Sequence, residues 1–121
     1  MEKLSIQEEE AMLAVWKAGE GNVKSFLELL PDPKPPYTTL ASTIKNLEKK
    51  GFVESRQTGN MFLYKPLVKE ADYKKKFMNG VVKDYFENSY KELVAFFAKE
   101  KKISADELKE IINLIEKKLR V

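Results

Sequence analysis

The stretch YTTLASTIKNLEKKGFVESRQTGNMFLYKP, residues 37–66, decides the fold. Its first half carries an apolar stripe with helical spacing, at Leu40, Ile44 and Leu47. We expect this helix to span residues 37–50 and to stop at Gly51, after which the apolar period changes to two. Residues 52–56 and 61–65 are therefore predicted to pair as a hairpin around a Thr-Gly-Asn turn, which Pro66 closes.

Two shorter helices are predicted on the N-terminal side of this stretch. Ser5, with Glu8 three residues later, has the spacing of a capping box, and Gly19 ends the helix that follows. Four of its apolar residues are predicted to share one face, Ile6, Met12, Leu13 and Trp16, with Val15 beside them. Asn22 is a suitable N-cap for a second helix over residues 23–30, with Val23, Phe26, Leu27 and Leu30 inward. PDPKPP, residues 31–36, then forms a stiff connection that no helix can cross.

The C-terminal part is predicted to be helical throughout. One helix covers about residues 69–87, a second begins at Ser89, and a third is capped by Ser104 with Glu107 in capping-box spacing. The fold class is thus mainly α with a small β-hairpin: a winged helix-turn-helix over residues 1–68, followed by a C-terminal helical region over residues 69–121.

Composition excludes several classes of protein. With 43% hydrophobic and 34% charged residues, the 121-residue chain has the composition of a globular protein. It contains neither histidine nor cysteine and has no nucleophile, phosphate-loop or metalloprotease motif, so we expect no enzyme, cofactor or metal site. No apolar run approaches the roughly 18 residues of a membrane span, and the acidic start lacks a signal peptide. We therefore expect a cytoplasmic protein without membrane insertion.

Charge and surface pattern point to double-stranded DNA as a partner. Residues 33–66 carry six basic and two acidic side chains, whereas residues 1–32 carry three basic and seven acidic ones. A helix that enters the major groove needs an apolar stripe behind it and small polar or basic residues in front, as the helix over residues 37–50 has. The candidate DNA contacts are Thr38, Thr39, Ser42, Lys45, Asn46 and Lys49 on this face, which also includes Lys50, and Arg56 and Asn60 on the hairpin.

Two alternatives remain open for these residues. A polar helix face with several lysines is often only a solvated surface, and Arg56 could pair with Glu54 or Glu48. The order of the elements favours DNA binding, because two helices, a stiff turn, a polar helix and a hairpin follow one another within one short domain.

The C-terminal helices carry more apolar residues than three short helices can bury among themselves. The predicted dimer interface consists of Phe77, Val81, Tyr85, Leu93, Phe97, Ile111, Leu114 and Ile115. A segment of this size buries its apolar stripe best against a second copy, which predicts a homodimer. The alternative is that these helices fold back onto the N-terminal domain of a monomer. A two-fold dimer would place two recognition helices one DNA turn, about 34 Å, apart.

Four segments resemble the BlaI/MecI penicillinase-repressor family. LSIQEEEAMLAVWKAG (4–19) resembles its first helix, PYTTLASTIKNLEKKGFV (36–53) its recognition helix, and TGNMFLYKPLVKEADY (58–73) its wing and the passage into the dimerisation region. KELVAFFAKEKKISADELKEIINLIEKK (91–118) resembles its last two helices. The order, spacing and coverage of these segments carry the resemblance, since no single motif is decisive.

The resemblance implies a homodimeric transcriptional repressor on a near-palindromic operator. Release in this family typically runs through a membrane-bound sensor peptidase and cleavage of the repressor within the dimerisation region. The cleaved bond is Asn-Phe in characterised repressors, and this chain has Phe96-Phe97 in the corresponding region. Many members have arginine where this chain has Asn46, so the preferred operator sequence is expected to differ. Two other functions remain open: a winged-helix regulator that senses a small ligand, and a winged-helix protein-interaction module without a DNA role.

Overall fold

Six helices and one antiparallel hairpin follow one another in the predicted order, in a computed structural model that describes residues 3–119. The helices are α1 Ile6–Ala18, α2 Val23–Leu29, α3 Tyr37–Lys49, α4 Glu70–Tyr85, α5 Tyr90–Lys99 and α6 Ala105–Leu119, and the strands are β1 Val53–Thr58 and β2 Met61–Pro66. The predicted class, mainly α with a small hairpin, is confirmed. The chain divides into two compact units between Lys74 and Lys75, inside α4.

Local capping explains where α1 begins and ends. The Ser5 hydroxyl accepts a hydrogen bond from the Glu8 N–H at 3.2 Å, and the Glu8 carboxylate accepts one from the Ser5 N–H at 2.8 Å. This is the predicted capping box, and Gly19 ends the helix at φ 80°. Of the apolar residues predicted on this helix, Met12 and Val15 are buried, whereas Ile6 and Leu13 are 74% and 53% exposed.

The face of α1 that is buried carries Glu8, Ala11, Met12 and Val15. Ile6 and Leu13 are seven residues apart and therefore share the opposite face. The two alanines, Ala11 and Ala14, allow close approach of neighbouring elements on the buried side. A helix of this length buries one stripe, and here tertiary packing selects the stripe that contains a carboxylate.

One hydrophobic core holds α1, α2, α3 and the hairpin together. The predicted stripe of α3 is confirmed, since Leu40, Ile44 and Leu47 are all buried. They meet side chains from the other elements, chiefly Met12, Val15, Phe26, Phe52, Val53 and Tyr64. Helix α2 starts as predicted, with the Asn22 side chain accepting a hydrogen bond from the Ser25 N–H at 2.8 Å.

Tyr73, in the first turns of α4, completes this core from the C-terminal side. Its ring lies 5.5 Å from that of Trp16 and 6.0 Å from that of Phe52, measured between centroids. Its hydroxyl donates to Glu9 at 3.1 Å, and the Trp16 indole N–H donates to the Val68 carbonyl at 2.8 Å. Burial, together with the hydrogen bond to Glu9, raises the pKa of Tyr73 to about 12.

The second unit contains the rest of α4, α5 and α6. The Ser89 hydroxyl caps α5 by accepting from Glu92 N–H at 3.1 Å, and Ser104 and Glu107 form the predicted capping box of α6 at 2.9 and 3.1 Å. Phe96 packs edge to face on Phe86 and on Phe97. Among the residues of this unit whose burial the structure describes, only Val82 is buried. Most of the apolar surface of α5 and α6 is therefore open within one chain.

Candidate nucleic-acid interface

Helix α3 separates its apolar and polar sides cleanly. Its buried side carries the three core residues of the stripe. The six predicted DNA contacts on the helix are all exposed: Thr38, Thr39, Ser42, Lys45, Asn46 and Lys49. Their role as DNA contacts stays a prediction, but their placement on one accessible face agrees with the geometry that groove binding requires.

The first turn of α3 is also open to an anion. Pro36 occupies the N-cap and supplies no side-chain hydrogen bond, and the first turn contains no acidic residue. The backbone N–H groups of this turn therefore keep their hydrogen-bonding capacity at the positive end of the helix dipole. This end of α3 is electrostatically suited to approach a phosphate.

The hairpin packs into the same core as α3, through Val53 and Tyr64. Its strands pair in register from Val53 opposite Pro66 to Thr58 opposite Met61, which leaves a two-residue turn. Gly59 occupies the first position of that turn at φ 63°, the left-handed region that this kind of hairpin turn requires. Asn60, the predicted wing contact, is consequently exposed at the tip.

Arg56, the other predicted wing contact, is bound to a carboxylate. Its Nη2 lies 3.0 Å from Glu20 Oε1 and its Nε lies 3.1 Å from Glu20 Oε2. The alternative partners considered from the sequence are wrong: Glu54 pairs with Lys65 at 3.1 Å, and Glu48 accepts from the Ser55 hydroxyl at 2.6 Å. The hydrogen bond from Arg56 holds the pKa of Glu20 below its usual value.

The loop that carries Glu20 is joined to the hairpin by backbone as well. Gly21 N–H donates to the Tyr64 carbonyl at 3.0 Å, and Tyr64 N–H donates to the Gly21 carbonyl at 2.8 Å. A Cβ at position 21 would collide with the Ser25 hydroxyl and come within 3.0 Å of the buried Phe26 ring, so this close approach requires glycine. The backbone pair and the Arg56–Glu20 pair together fix the hairpin to the α1–α2 loop.

Lys50, at the end of α3, is turned toward the core rather than toward the open face. Its Nζ lies 2.8 Å from Oε1 of Glu8, and the Glu8 side chain is only 9% exposed. Burial alone would raise the pKa of Glu8, but hydrogen bonds from Lys50 and Ser5 outweigh it and hold the pKa below the usual 4.5. This ion pair ties the C-terminal end of α3 to the N-terminal end of α1.

We expect Glu8→Gln to reveal this pair as a pH-dependent contribution to stability. Glutamine keeps the capping box but removes the charge, so at neutral pH the free energy of unfolding should fall by about 1–3 kcal/mol. Because the folded-state pKa is depressed, the contribution of Glu8 is fully present above about pH 4.5 and is lost as pH falls through the folded pKa. Urea denaturation of both proteins from neutral to acidic pH should show their difference shrinking below that point.

The control for this prediction is Glu107→Gln, the same change in the capping box of α6. Glu107 is exposed, and among the described residues no lysine donates a hydrogen bond to its carboxylate, so the loss should be much smaller. A difference between wild type and Glu8→Gln that stayed constant across the pH range would contradict the ion-pair explanation.

The predicted dimer residues are accessible within one chain. Phe77, Tyr85, Phe97, Ile111, Leu114 and Ile115 are exposed, and Val81 and Leu93 are half-buried. Their assignment to an interface stays a prediction. Phe96 and Phe97, the predicted cleavage region, lie inside α5 rather than in a loop.

Sequence reasoning missed the ion pairs that Glu8 and Glu20 form. Each has its partner far along the chain, 42 residues for Glu8 and Lys50 and 36 residues for Glu20 and Arg56. No spacing rule links positions so distant. Both glutamates also belong to an acidic stretch in which nothing in the sequence marks them as ion-pair partners. The described residues contain no group of three or more acidic side chains that could hold a metal ion. Nor is any of the described helices long and apolar enough to cross a membrane.

Comparison with known proteins gives one consistent answer. The MecI methicillin resistance regulatory protein of Staphylococcus aureus strain N315 is 29% identical over 119 residues, covering 96% of this chain and 95% of that protein. The penicillinase repressor of Bacillus licheniformis is 24% identical over 115 residues, covering 94% and 90%. Both relatives have the names of regulators, not of enzymes.

A solved structure of TrmBL2, an archaeal chromatin protein, aligns with this chain at a TM-score of 0.48 and 27% sequence identity. The alignment covers 93% of this chain and 37% of the TrmBL2 chain. The profile of the penicillinase repressor family matches residues 4–117, nearly the whole chain. This match confirms the resemblance inferred from the four sequence segments. The chain belongs to the penicillinase repressor family.

Proposed function

We propose that this chain is a transcriptional repressor that binds a near-palindromic operator in double-stranded DNA as a homodimer. The observation that carries the proposal is the division of α3, with an apolar stripe fully buried and a polar, basic face fully accessible beside a hairpin. Such a face suits base edges and phosphates, whereas a protein-interaction helix would present apolar or acidic residues there. Family membership supports the same function.

The direct test is binding to DNA from the region upstream of the chain's own gene. A mobility shift should give a discrete complex that resists unrelated competitor DNA and weakens as salt rises, because bound phosphates release counterions. Binding that unrelated DNA abolishes would contradict sequence-specific repression. A shift that disappears only on addition of a small molecule would favour the ligand-sensing alternative.

Dimerisation is supported by the apolar surface of the second unit. Helix α6 alone exposes Ile111, Ile112, Leu114 and Ile115, and α5 adds Val94, Phe96 and Phe97. Exposed apolar surface of this extent usually marks an interface, and a second copy of the same helices is the partner that an operator with two half-sites requires. Two joined binding domains then gain affinity from effective concentration.

Release from DNA follows from the same arrangement. We infer that separation of the C-terminal helices, by an upstream sensor signal or by proteolysis, lowers operator affinity without any ligand pocket. Phe96 and Phe97 lie near the C-terminal end of α5, and α6 follows them in the chain. A cut there would therefore separate most of α5 from α6 and divide the apolar surface of the dimerisation region. A membrane-bound sensor peptidase is the proposed partner for this step.

For the hairpin, we propose that Arg56 acts on DNA binding through Glu20. The Glu20 carboxylate accepts two hydrogen bonds from one edge of the guanidinium, at Nε and Nη2. The backbone pair between Gly21 and Tyr64 holds the same loop against β2. The pair would then set the angle at which the hairpin tip, with Asn60, meets the DNA. In this arrangement Arg56 is a positioning residue rather than the phosphate contact that its charge suggested.

Glu20→Ala distinguishes the two roles because they predict opposite effects. If Arg56 positions the hairpin, removing Glu20 loosens it, and we expect operator affinity to fall roughly threefold to tenfold. If instead Glu20 withholds Arg56 from DNA, the variant would bind more tightly. Fluorescence anisotropy with labelled operator DNA measures either change.

A matched control for this test is Glu54→Ala. It removes one negative charge from the same domain and breaks the exposed Glu54–Lys65 pair, which does not bridge the hairpin to another element. We expect its effect on affinity to be small beside that of Glu20→Ala. The exchange Glu20→Arg with Arg56→Glu should recover much of the lost affinity, since it restores an ion pair between the two positions.

A further inference from the structure

A groove of about 610 Å³ lies between three elements of the first unit. Asn22, Val23 and Lys24 line it from the start of α2, Tyr37, Ala41 and Lys45 from α3, and the hairpin closes it with residues that include Asn60 and Phe62. Its lining is amphipathic, with aromatic and aliphatic surface beside amide, hydroxyl and ammonium groups.

The charged side chains that line the groove have one sign. They are two lysines, Lys24 and Lys45. Within residues 3–119 neither of these lysines forms an ion pair. The groove thus contains cations that the fold leaves without an acidic partner and no carboxylate of its own. Its occupant should be an anion with an apolar surface.

The shape of duplex DNA identifies which anion this is. In B-DNA one sugar–phosphate strand separates the major groove from the adjoining minor groove, which is only about 6 Å wide. A domain that sets α3 in the major groove and the hairpin tip beside the neighbouring minor groove must accommodate that strand between them. The groove occupies this space, since α3 and the hairpin form two of its walls.

We propose that this groove binds one sugar–phosphate strand of the duplex and that Lys24 contacts a phosphate from α2. The inference rests on the proposed DNA-binding function and adds a third element to an interface that otherwise consists of α3 and the hairpin. Lys45 faces the same strand from α3, and the flat apolar side chains Tyr37 and Phe62 pack against deoxyribose. Lys24 contributes affinity without base preference, because phosphates are the same at every position.

The experiment compares salt dependence on two labelled duplexes of equal length, one from the upstream region and one of unrelated sequence. Lys24→Ala should reduce the slope of log affinity against log salt by roughly 0.9 for each bound protomer on both duplexes. The ratio of the two affinities should not change, and Lys24→Arg should restore the slope. Lys17→Ala, which removes an exposed lysine of α1 outside the groove, is the matched control and should leave the slope unchanged.

Neutral methylphosphonate substitutions, placed one phosphate at a time, give a second measurement. At one position the neutral substitution should weaken DNA binding by the wild-type protein but not by Lys24→Ala, because that variant has already lost the phosphate contact. The groove inference would be overturned if Lys24→Ala had the same salt slope as the wild type and if no such phosphate position were found. If wild type binds both duplexes equally, the sequence-specific function fails instead, and the slope on unrelated DNA still tests the groove.

Discussion

Leu114→Glu is expected to convert the proposed dimer into monomers and to weaken operator binding by roughly 10²–10⁴-fold. Leu114 lies on α6 and is 64% exposed within one chain, so a charge there should leave the fold of the protomer intact. In the proposed dimer the same side chain is covered by the second copy, where an unpaired carboxylate is strongly unfavourable. Each half-site would then bind one domain without the gain from the other.

Phe97 is a less suitable position for this test. Its ring packs edge to face on Phe96 at 5.3 Å in the same chain, so a charge there would disturb the protomer as well as the interface. At Leu114 a charge acts on the proposed interface alone, because this side chain is exposed within one chain. Sedimentation velocity measures the oligomeric state, and a mobility shift on operator DNA measures the consequence for binding.

Asn113→Glu is the matched control for Leu114→Glu. It adds the same charge one residue away, at an exposed polar position of α6. We expect it to remain dimeric and to bind nearly as wild type does, apart from a small repulsion from DNA. If Leu114→Glu sediments as a dimer and binds normally, the proposed interface does not include the α6 stripe. A wild-type protein that itself sediments as a monomer would favour the monomeric alternative.

The sequence predicted those features of the fold that depend on near neighbours. Caps at Ser5, Asn22 and Ser104 are completed within three residues, and the turn at Gly59 is set by one backbone angle. The apolar stripe of α3 was also predicted correctly, because its spacing leaves only one helical face that can be buried. Such features follow from local stereochemistry and need no knowledge of the partner elements.

Features that depend on distant partners could not be predicted in this way. On α1, apolar character favoured Ile6 and Leu13, yet the buried face contains Glu8, because Lys50 supplies its counter-charge from the end of α3. The candidate site shows the same division. Its exposed polar positions on α3 follow from periodicity, whereas the Glu20–Arg56 pair and the position of Lys24 at the groove arise only when loop, helix and hairpin come together.

Phe52→Ala is expected to cost about 3–5 kcal/mol of stability in the first unit. Phe52 is 1% exposed and follows directly on the turn that ends α3. Its ring meets Tyr73 edge to face, its N–H donates to the Leu47 carbonyl at 2.9 Å, and its carbonyl accepts from Leu67 N–H at 2.8 Å. The backbone bonds survive the substitution, but the cavity lies where α3, the hairpin and α4 meet.

Trp16 provides a local probe for this measurement. It is the only tryptophan of the chain and packs on Tyr73, which in turn packs on Phe52. Urea unfolding followed by tryptophan fluorescence therefore reports on the first unit, whereas far-ultraviolet circular dichroism reports on helices of both units. Phe52→Ala should lower the fluorescence midpoint strongly, and the two probes should separate if the units unfold independently.

Phe62→Ala is the control, because it removes the same ring from the paired strand at a site that is 51% exposed. We expect it to cost less than about 1 kcal/mol, since little buried surface is lost. An equal loss in the two variants would mean that the hairpin, rather than packing at the junction, limits stability. Since a domain typically has only about 5–15 kcal/mol in total, the expected loss at Phe52 should also reduce DNA binding at warm temperatures. That reduction should reverse on cooling, whereas the loss caused by Leu114→Glu should persist, because it removes the partner rather than the fold.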